Sequence, residues 1–509
     1  MRRCITRAVG QVAVAALMCV ACTSHPSADK PSESGRPQRG HPQSSSGTES
    51  AGPDEQGQAS AWRIRRTGSI HAIEGWADHT SVEVDEPFKL FVSTTAPSYR
   101  VRAFRMGWYG GSLGRLVWTS DRLPGSRQPD GMLAGATNTV TAPWRRSLTV
   151  ATKGWAPGMY LLRLDSATRA QRFVPITVRQ PSARGRVVLV NAVTTWQAYN
   201  QWGGYDLYEG PTGSFGSRAR AVAFDRPYDN QFSMRFGGGE FLHRELPVLA
   251  LAERLGLPLD YVTDVDLHIH PGVLDGARAI VFMGHDEYWS PEMRAALVAA
   301  RDQGSNIAFF GANAMFRRIR LASTRTGPAR LEINYKVAAE DPLDGKDDVH
   351  VTADWPAPPA ASPESDVTGV SYDCFPARED MHVYRPSSWV FEGTGVSAAT
   401  RLHNLVGTES DRVDLDNPTP RPMEIVAHTT LNCAGRPTTS DAVYYTTPSG
   451  AGVFAAGTID WVCAMQRCQN VDKQSSAIVR RVTSNILRAF AKGPAGLDHP
   501  AHDNVDELY

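Results

Sequence analysis

Three scarcities narrow the reading of this chain before any motif is considered. Cysteine is rare, 7 in 509 residues, too few for a small disulfide-stapled module, and without nearby histidine clusters the Cys463-x4-Cys468 spacing makes a poor zinc site. Net charge is absent, since 53 Lys and Arg face 53 Asp and Glu. That balance removes the electrostatic case for nucleic acid or an anionic membrane surface as partner, both of which require concentrated Lys and Arg. Apolar runs of membrane-spanning length are missing throughout. A Cys or Ser nucleophile on a sharp turn after a strand is also lacking. The turn where one would stand reads Gly311-Ala312-Asn313-Ala314, which disfavours covalent catalysis.

What is present begins at Met1. Arg2, Arg3 and Arg7 make a positive start, and Val12 to Ala21 make an apolar stretch too short to span a bilayer, together the pattern of a signal peptide over residues 1–21. Val20 and Ala21 precede Cys22, with Cys19 where a leucine is usual, and the sequence around Cys22 resembles a bacterial lipoprotein lipobox. The expectation is a lipid on Cys22, anchoring the chain at the outer face of the bacterial cell membrane; the alternative is free secretion. Residues 22–60, nearly all polar with Pro, Gly and scattered Ala, read as a disordered tether. Loss of three arginines with the signal leaves 50 basic against 53 acidic residues. In an oxidising compartment the remaining cysteines are expected to pair as Cys463 with Cys468 and Cys374 with Cys433, although sequence alone does not settle the connectivity.

Beyond the tether the length suffices for two or three domains. Residues 61–180 carry short alternating or β-branched runs, among them Phe88 to Ser93, Ser147 to Val150 and Gly158 to Leu164, separated by Gly and Pro, and predict a β-sandwich domain. At Val187 to Val190 the pattern becomes continuously apolar, as in a strand buried on both faces. Leu246 to Leu255 predicts a helix, Leu259 to Val262 a strand, Ala279 to Met283 another, Pro291 to about Gln303 a helix, and Ile307 to Phe310 a strand. That order predicts a doubly wound α/β domain over residues 181–495 with a mostly parallel sheet. Trp355 to Ser440 reads as Pro-rich loop, Ala442 to Thr458 as strands, Ser475 to Ala491 as a closing amphipathic helix, and 496–509 as a flexible tail.

Ligands of open α/β sheets sit beyond the carboxyl ends of the strands. The run ending at Met283 continues Gly284-His285-Asp286-Glu287-Tyr288-Trp289-Ser290. Ser290 and Pro291 suit a helix N-cap and first-turn proline, so Ser290 and Asp286 read as ordering the approach to that helix. His285 and Glu287 read as functional, because two ionisable groups buried at a strand end are costly unless paired or used. Aromatic loops at Trp196 to Tyr205 and Phe224 to Tyr228 are expected above the same sheet edge, as packing or as a binding wall.

Five motifs in order now resemble a known family. They are Phe104-Arg105-Met106-Gly107-Trp108-Tyr109-Gly110-Gly111, Tyr199-Asn200-Gln201-Trp202-Gly203-Gly204, Asp225-Arg226-Pro227-Tyr228, Thr263-Asp264-Val265-Asp266-Leu267 and Gly284 to Ser290. Together they resemble the large subunit of N,N-dimethylformamidase and its relatives, over about Trp62 to Ala491. The resemblance implies a glutamine-amidotransferase-like α/β domain and one iron ion per chain, held by two tyrosinates and a glutamate, with water attacking an amide. Carried over, Tyr199 and Tyr228 become the tyrosine ligands, with Tyr205 and Tyr208 as alternatives, and Glu287 the carboxylate. His285 would relay a proton, Asn313 orient substrate, Lys336 stabilise developing negative charge, and Glu409 act as a second acid or base. The enzyme's small second subunit has no counterpart in this chain. The function expected is hydrolysis of an amide or related C–N bond in a small or envelope substrate; the alternatives are a cell-surface ligand- or carbohydrate-binding lipoprotein without catalysis and a structural envelope protein.

Overall fold

The structure is a computed structural model, and it describes residues 61–229, 239–466 and 470–509. The signal peptide, the tether, Cys22 and Cys468 lie outside the described residues. Among those described, no helix is long and apolar enough to cross a membrane.

The chain is mixed α and β, with many strands in several sheets and few helices. Its first part makes two sheets. One has three strands, ordered Ile73–Ala77, Phe88–Thr94, Leu148–Val150; the other has six, with Ser81–Glu83, Gln171–Arg179, Gly158–Ser166, Ser98–Met106 and Gly114–Thr119 in that order and Leu123–Pro124 beside Ser98–Met106. Alternation in Ser98–Met106 turns Tyr99, Val101 and Ala103 inward and leaves Arg100 and Arg102 outside. The inward set meets Ile73, Leu90, Leu162 and Ile176 in one core shared by both sheets. Gly158–Ser166 is buried at nearly every position because its other face is also covered: Phe104, Met159 and Leu161 join a larger core with Val187 and Leu189.

A seven-stranded sheet follows, ordered Leu259–Thr263, Val187–Asn191, Ala279–Phe282, Asn306–Phe309, Gly452–Ala455, Arg436–Thr446, Met423–Cys433. The first five are mutually parallel; Arg436–Thr446 runs antiparallel to them, and Met423–Cys433 runs antiparallel to Arg436–Thr446. Val187–Asn191 pairs on one side with the second strand in sequence and on the other with the third. The strand order therefore reverses beside it, leaving a crevice at the carboxyl ends of Val187–Asn191 and Ala279–Phe282. Helices fall where expected, at Leu246–Arg254, Pro291–Asp302 and Lys473–Phe490. The Ser290 hydroxyl caps the second by accepting from the Met293 amide at 3.2 Å.

The stretch Trp355 to Ser440 departs from the expected loop. Ser371–His382 and Arg401–Arg412 are paired strands, and Met423–Cys433 with Arg436–Thr446 extends the main sheet. The first ladder shifts register between Tyr372 and Cys374, Cys374 and Ala377, and Glu379 and Met381. Each shift breaks the two-residue period that would have marked a strand. Cys374 and Cys433 are disulfide-bonded, as expected. Cys463 is disulfide-bonded too. The segment from residue 496 packs onto this part of the molecule, with Val505 fully buried and the Asn504 amide nitrogen donating to the Ile425 carbonyl at 3.1 Å.

Candidate active site

Three loops reach the crevice, one from the carboxyl end of each of three neighbouring strands. After Val187–Asn191 a short helix, Val193–Ala198, delivers Tyr199. After Ala279–Phe282 the chain runs through Gly284 to His285 and Glu287, and after Asn306–Phe309 through Gly311 to Asn313. The two glycines are required by close approach. A Cβ on Gly284 would stand 2.1 Å from the Arg244 carbonyl oxygen, and one on Gly311 would stand 2.5 Å from the Gly284 carbonyl oxygen.

Glu287 is the hub, 1% exposed. Its Oε2 accepts from the Tyr199 hydroxyl at 2.7 Å and its Oε1 from the Tyr208 hydroxyl at 3.0 Å, while the two phenol oxygens are 2.8 Å apart. Arg317 Nε donates to Glu287 Oε1 at 3.2 Å, and His285 Nε2 lies 3.4 Å from Oε2. Burial opposes ionisation of Glu287, but His285, Lys336 and Arg317 together hold its carboxyl well below the usual carboxylate range. Burial, then the Glu287 charge, pushes both phenols far above the ordinary tyrosine value.

From this hub a polar path continues in two directions. His285 Nε2 lies 3.7 Å from Glu409, whose Oε2 accepts from Asn313 Nδ2 at 3.1 Å. Burial raises the Glu409 carboxyl, against the pull of His285. In the other direction Lys336 donates to the Tyr288 hydroxyl at 2.7 Å, and Tyr288 donates to Tyr208 at 2.7 Å. Burial, then Arg317, depresses the Lys336 ammonium well below the ordinary lysine value. Asn313 and Lys336 both hold positive φ, 56° and 63°, a conformation uncommon outside glycine and frequent at functional sites. Buried Asn313 Oδ1 has no hydrogen-bond partner among the described residues, so it remains available to a ligand.

The structure thus brings together Tyr199, His285, Glu287, Asn313, Lys336 and Glu409. Tyr228 stands apart, packed edge-on against Trp196 at 6.4 Å between ring centres, and burial raises its phenol above the ordinary tyrosine value, with Arg330 opposing. Tyr208, one of the two alternatives, sits on Glu287 instead. Two further members, Arg317 and Tyr288, were not singled out for a role in the site from sequence. Tyr288 lay within a quoted motif; Arg317 sits in a plain arginine pair, and only its pairing beside Tyr288 brings it in. Among the described residues no group of three or more His, Cys, Asp or Glu is arranged for a metal. A metal here would have to draw on phenol oxygens.

The remaining motifs position these loops. Buried Arg226 donates to the carbonyls of Asn200 at 2.8 Å, Trp202 at 3.0 Å and Tyr205 at 3.0 Å, pinning the segment between the two phenols. Asp206 accepts from the Tyr208 and Glu209 amides at 2.7 and 2.8 Å. Asp264 accepts from the Thr194 amide at 2.9 Å, fixing the helix before Tyr199. Arg105 pairs with Glu253 at 2.7 Å, and Glu253 also accepts from the Trp108 amide at 2.9 Å. The motif from Phe104 to Gly111 is thereby a junction between the first sheets and the helix Leu246–Arg254, away from the crevice.

No curated protein matches the chain. Among solved structures, a Paenibacillus sp. cycloisomaltooligosaccharide glucanotransferase complexed with cycloisomaltoheptaose is similar at 11% identity over 25% of this chain and 18% of that chain, with a TM-score of 0.15. Murine CEACAM1b is similar at 11% identity over 22% of this chain and 56% of that chain, with a TM-score of 0.12. Both shares fall below two thirds of the matched chains, and at such scores neither likeness bears on fold or function. The family model described as N,N-dimethylformamidase beta subunit-like, C-terminal, matches residues 100–473. That span contains all five motifs and every residue of the crevice, and the chain belongs to the N,N-dimethylformamidase beta subunit-like family.

Proposed function

We propose that this protein is an iron-dependent hydrolase of an amide or related carbonyl C–N bond, working at the cell envelope after export and lipid anchoring at Cys22. The observation that carries the reading is the convergence of Tyr199, Tyr208 and Glu287 at the strand-order reversal. Their oxygens stand 2.7, 2.8 and 3.0 Å apart. Hard donors placed about 2 Å from one cation have edges of about 2.8 Å when adjacent, so the set fits an oxygen-liganded ion with little movement. The Glu287 carboxyl, held ionised by its neighbours, suits it further. Iron bound by these three residues would supply a Lewis acid for polarising a carbonyl or acidifying water.

The chain's own residues supply the rest. In amide hydrolysis the water oxygen bonds to the carbonyl carbon, the C–N bond breaks, and one proton passes from water to the leaving nitrogen. His285 lies between Glu287 and Glu409 and is placed to relay that proton at Nε2. Glu409, its carboxyl raised by burial, can hold it and return it to the departing amine. Asn313 Oδ1, buried and without a hydrogen-bond partner among the described residues, offers an acceptor for a substrate N–H or for water. Lys336, its ammonium disfavoured by burial, donates to the Tyr288 hydroxyl and can stabilise negative charge as it develops through that hydrogen bond. The test is amine release from a panel of small formamides, acetamides and peptidyl amides by the purified chain. Turnover of one class, abolished in Glu287→Gln and reduced by about 10²-fold or more in Glu409→Gln, supports the reading. Absence of turnover across the panel with iron present contradicts it.

A further inference from the structure

The two oxygens of Glu287 face different neighbours. Oε2 lies 2.7 Å from the Tyr199 hydroxyl and 3.4 Å from His285 Nε2, whereas Oε1 accepts from Tyr208 at 3.0 Å and from Arg317 Nε at 3.2 Å. Tyr208 also reaches Oε2, at 3.2 Å. Phenols that bind a cation as phenolates no longer have protons to donate. Arg317 is then the donor left on Oε1 among the described residues.

Arg317 is built into that place from several sides. The short strand Arg317–Arg318 pairs in parallel with Tyr288–Trp289, and the Arg317 amide donates to the Glu287 carbonyl at 2.8 Å. Its Nη1 donates to the Asp354 carboxylate, and the guanidinium lies over the Phe316 ring at 4.8 Å. Burial works against its charge, and Asp354 leads the groups that outweigh burial. A planar fork can serve two carboxylates at a fixed angle, one at Nε and one at Nη1, which a lysine ammonium cannot. Of the three basic groups around Glu287, Lys336 has its ammonium disfavoured by burial, and an imidazole such as His285 changes charge with pH. The guanidinium is charged throughout.

A carboxylate can hold a metal through one oxygen or through both. Binding through both would break the charge-assisted hydrogen bond on Oε1, so Oε2 is the oxygen left free for an ion. Partners of this kind tune a ligand without touching the metal, by fixing its angle and drawing charge from it. We propose that Arg317, backed by Asp354, is a positioning residue that holds Glu287 as a one-oxygen ligand, presenting Oε2 toward the phenol oxygens of Tyr199 and Tyr208. This role rests on the reading of the crevice as an iron site.

The test uses the full chain loaded with iron, with chelator competition for affinity and the visible phenolate-to-iron band as the spectroscopic signature. Arg317→Met combined with Asp354→Asn removes the guanidinium and its counter-charge together, so the net charge near the ion is unchanged. That double variant is expected to bind iron at least about tenfold more weakly. Its band is expected at shorter wavelength, because a carboxylate freed from the guanidinium donates more charge to the ion. Arg317→Lys keeps the charge and one donor, and is expected to fall between parent and double variant in both readouts; should the double variant not fold, Arg317→Lys against the parent carries the comparison. An arginine with only a structural role would change the melting temperature and leave the band of the loaded, folded protein in place. Parent-like affinity with an unmoved band in the folded variants would overturn the role of Arg317 and leave the iron reading intact, whereas a parent that binds no iron would overturn both.

Discussion

Replacing Arg226 with alanine tests how the phenol-bearing loop is held. The guanidinium is 1% exposed and donates to three carbonyls, those of Asn200, Trp202 and Tyr205, which span the segment between Tyr199 and Tyr208. Burial lowers its pKa only to about 10, with Asp206 opposing the fall, so it is charged at neutral pH. Hydrogen bonds from a charged donor contribute about 1.5–3 kcal/mol each, and the contributions of one side chain overlap. A loss of about 3–5 kcal/mol follows, the upper part arising from carbonyls left buried without a partner. In a unit the size of residues 51–509 the unfolding entropy is near 1 kcal/mol per degree. Differential scanning calorimetry is therefore expected to show a fall of about 3–5 °C, accompanied by faster limited proteolysis within residues 200–210. A melt within about 1 °C of the parent, with the loop equally resistant, would refute the idea that Arg226 pins it.

The other predictions concern different parts of the molecule. Cys433→Ser opens the Cys374–Cys433 bond across a 59-residue separation and is expected to lower stability by about 4 kcal/mol in the loop-entropy account, read as a lower denaturant midpoint than the parent's. Glu364 has its carboxyl raised from 4.5 to about 7, chiefly by burial. Because the folded value exceeds the unfolded one, its favourable contribution is complete below pH 4.5 and is lost as pH rises through about 7. Glu364→Gln is expected to remove a decline of up to about 3 kcal/mol over that window, and an unchanged pH–stability profile would count against it. Tyr208→Phe is expected to strip the proposed iron while Tyr228→Phe retains it, measured by metal content; the reverse pattern would return Tyr228 to the ligand set.

Much of the layout was legible because burial writes itself into sequence in distinct ways. Val187 to Val190 is apolar without interruption, as a strand covered on both faces has to be, and Ser290-Pro291 announced the helix that Ser290 caps. Glu287 and His285 were legible as ionisable groups at a strand end. The choice among tyrosines was not. Tyr199, Tyr205, Tyr208 and Tyr228 sit in loops without period, and what puts Tyr208 on Glu287 is a three-carbonyl clamp from Arg226 across 21 to 26 residues. The strands Ser371–His382 and Arg401–Arg412 were hidden for a related reason, since bulges shift the alternation that signals a strand. Local pattern reveals what each element buries; it does not reveal which distant loop an arginine ties down.

The central claim is that Tyr199, Tyr208 and Glu287 together hold iron. Its most direct test is elemental analysis with visible absorption spectroscopy on the full chain purified with iron available, beside Tyr199→Phe, Tyr208→Phe and Glu287→Gln. The account predicts about one iron per parent chain, a visible phenolate-to-iron absorption band, and loss of both in each variant that remains folded. A colourless, metal-free parent, or iron retained in all three variants, would contradict it.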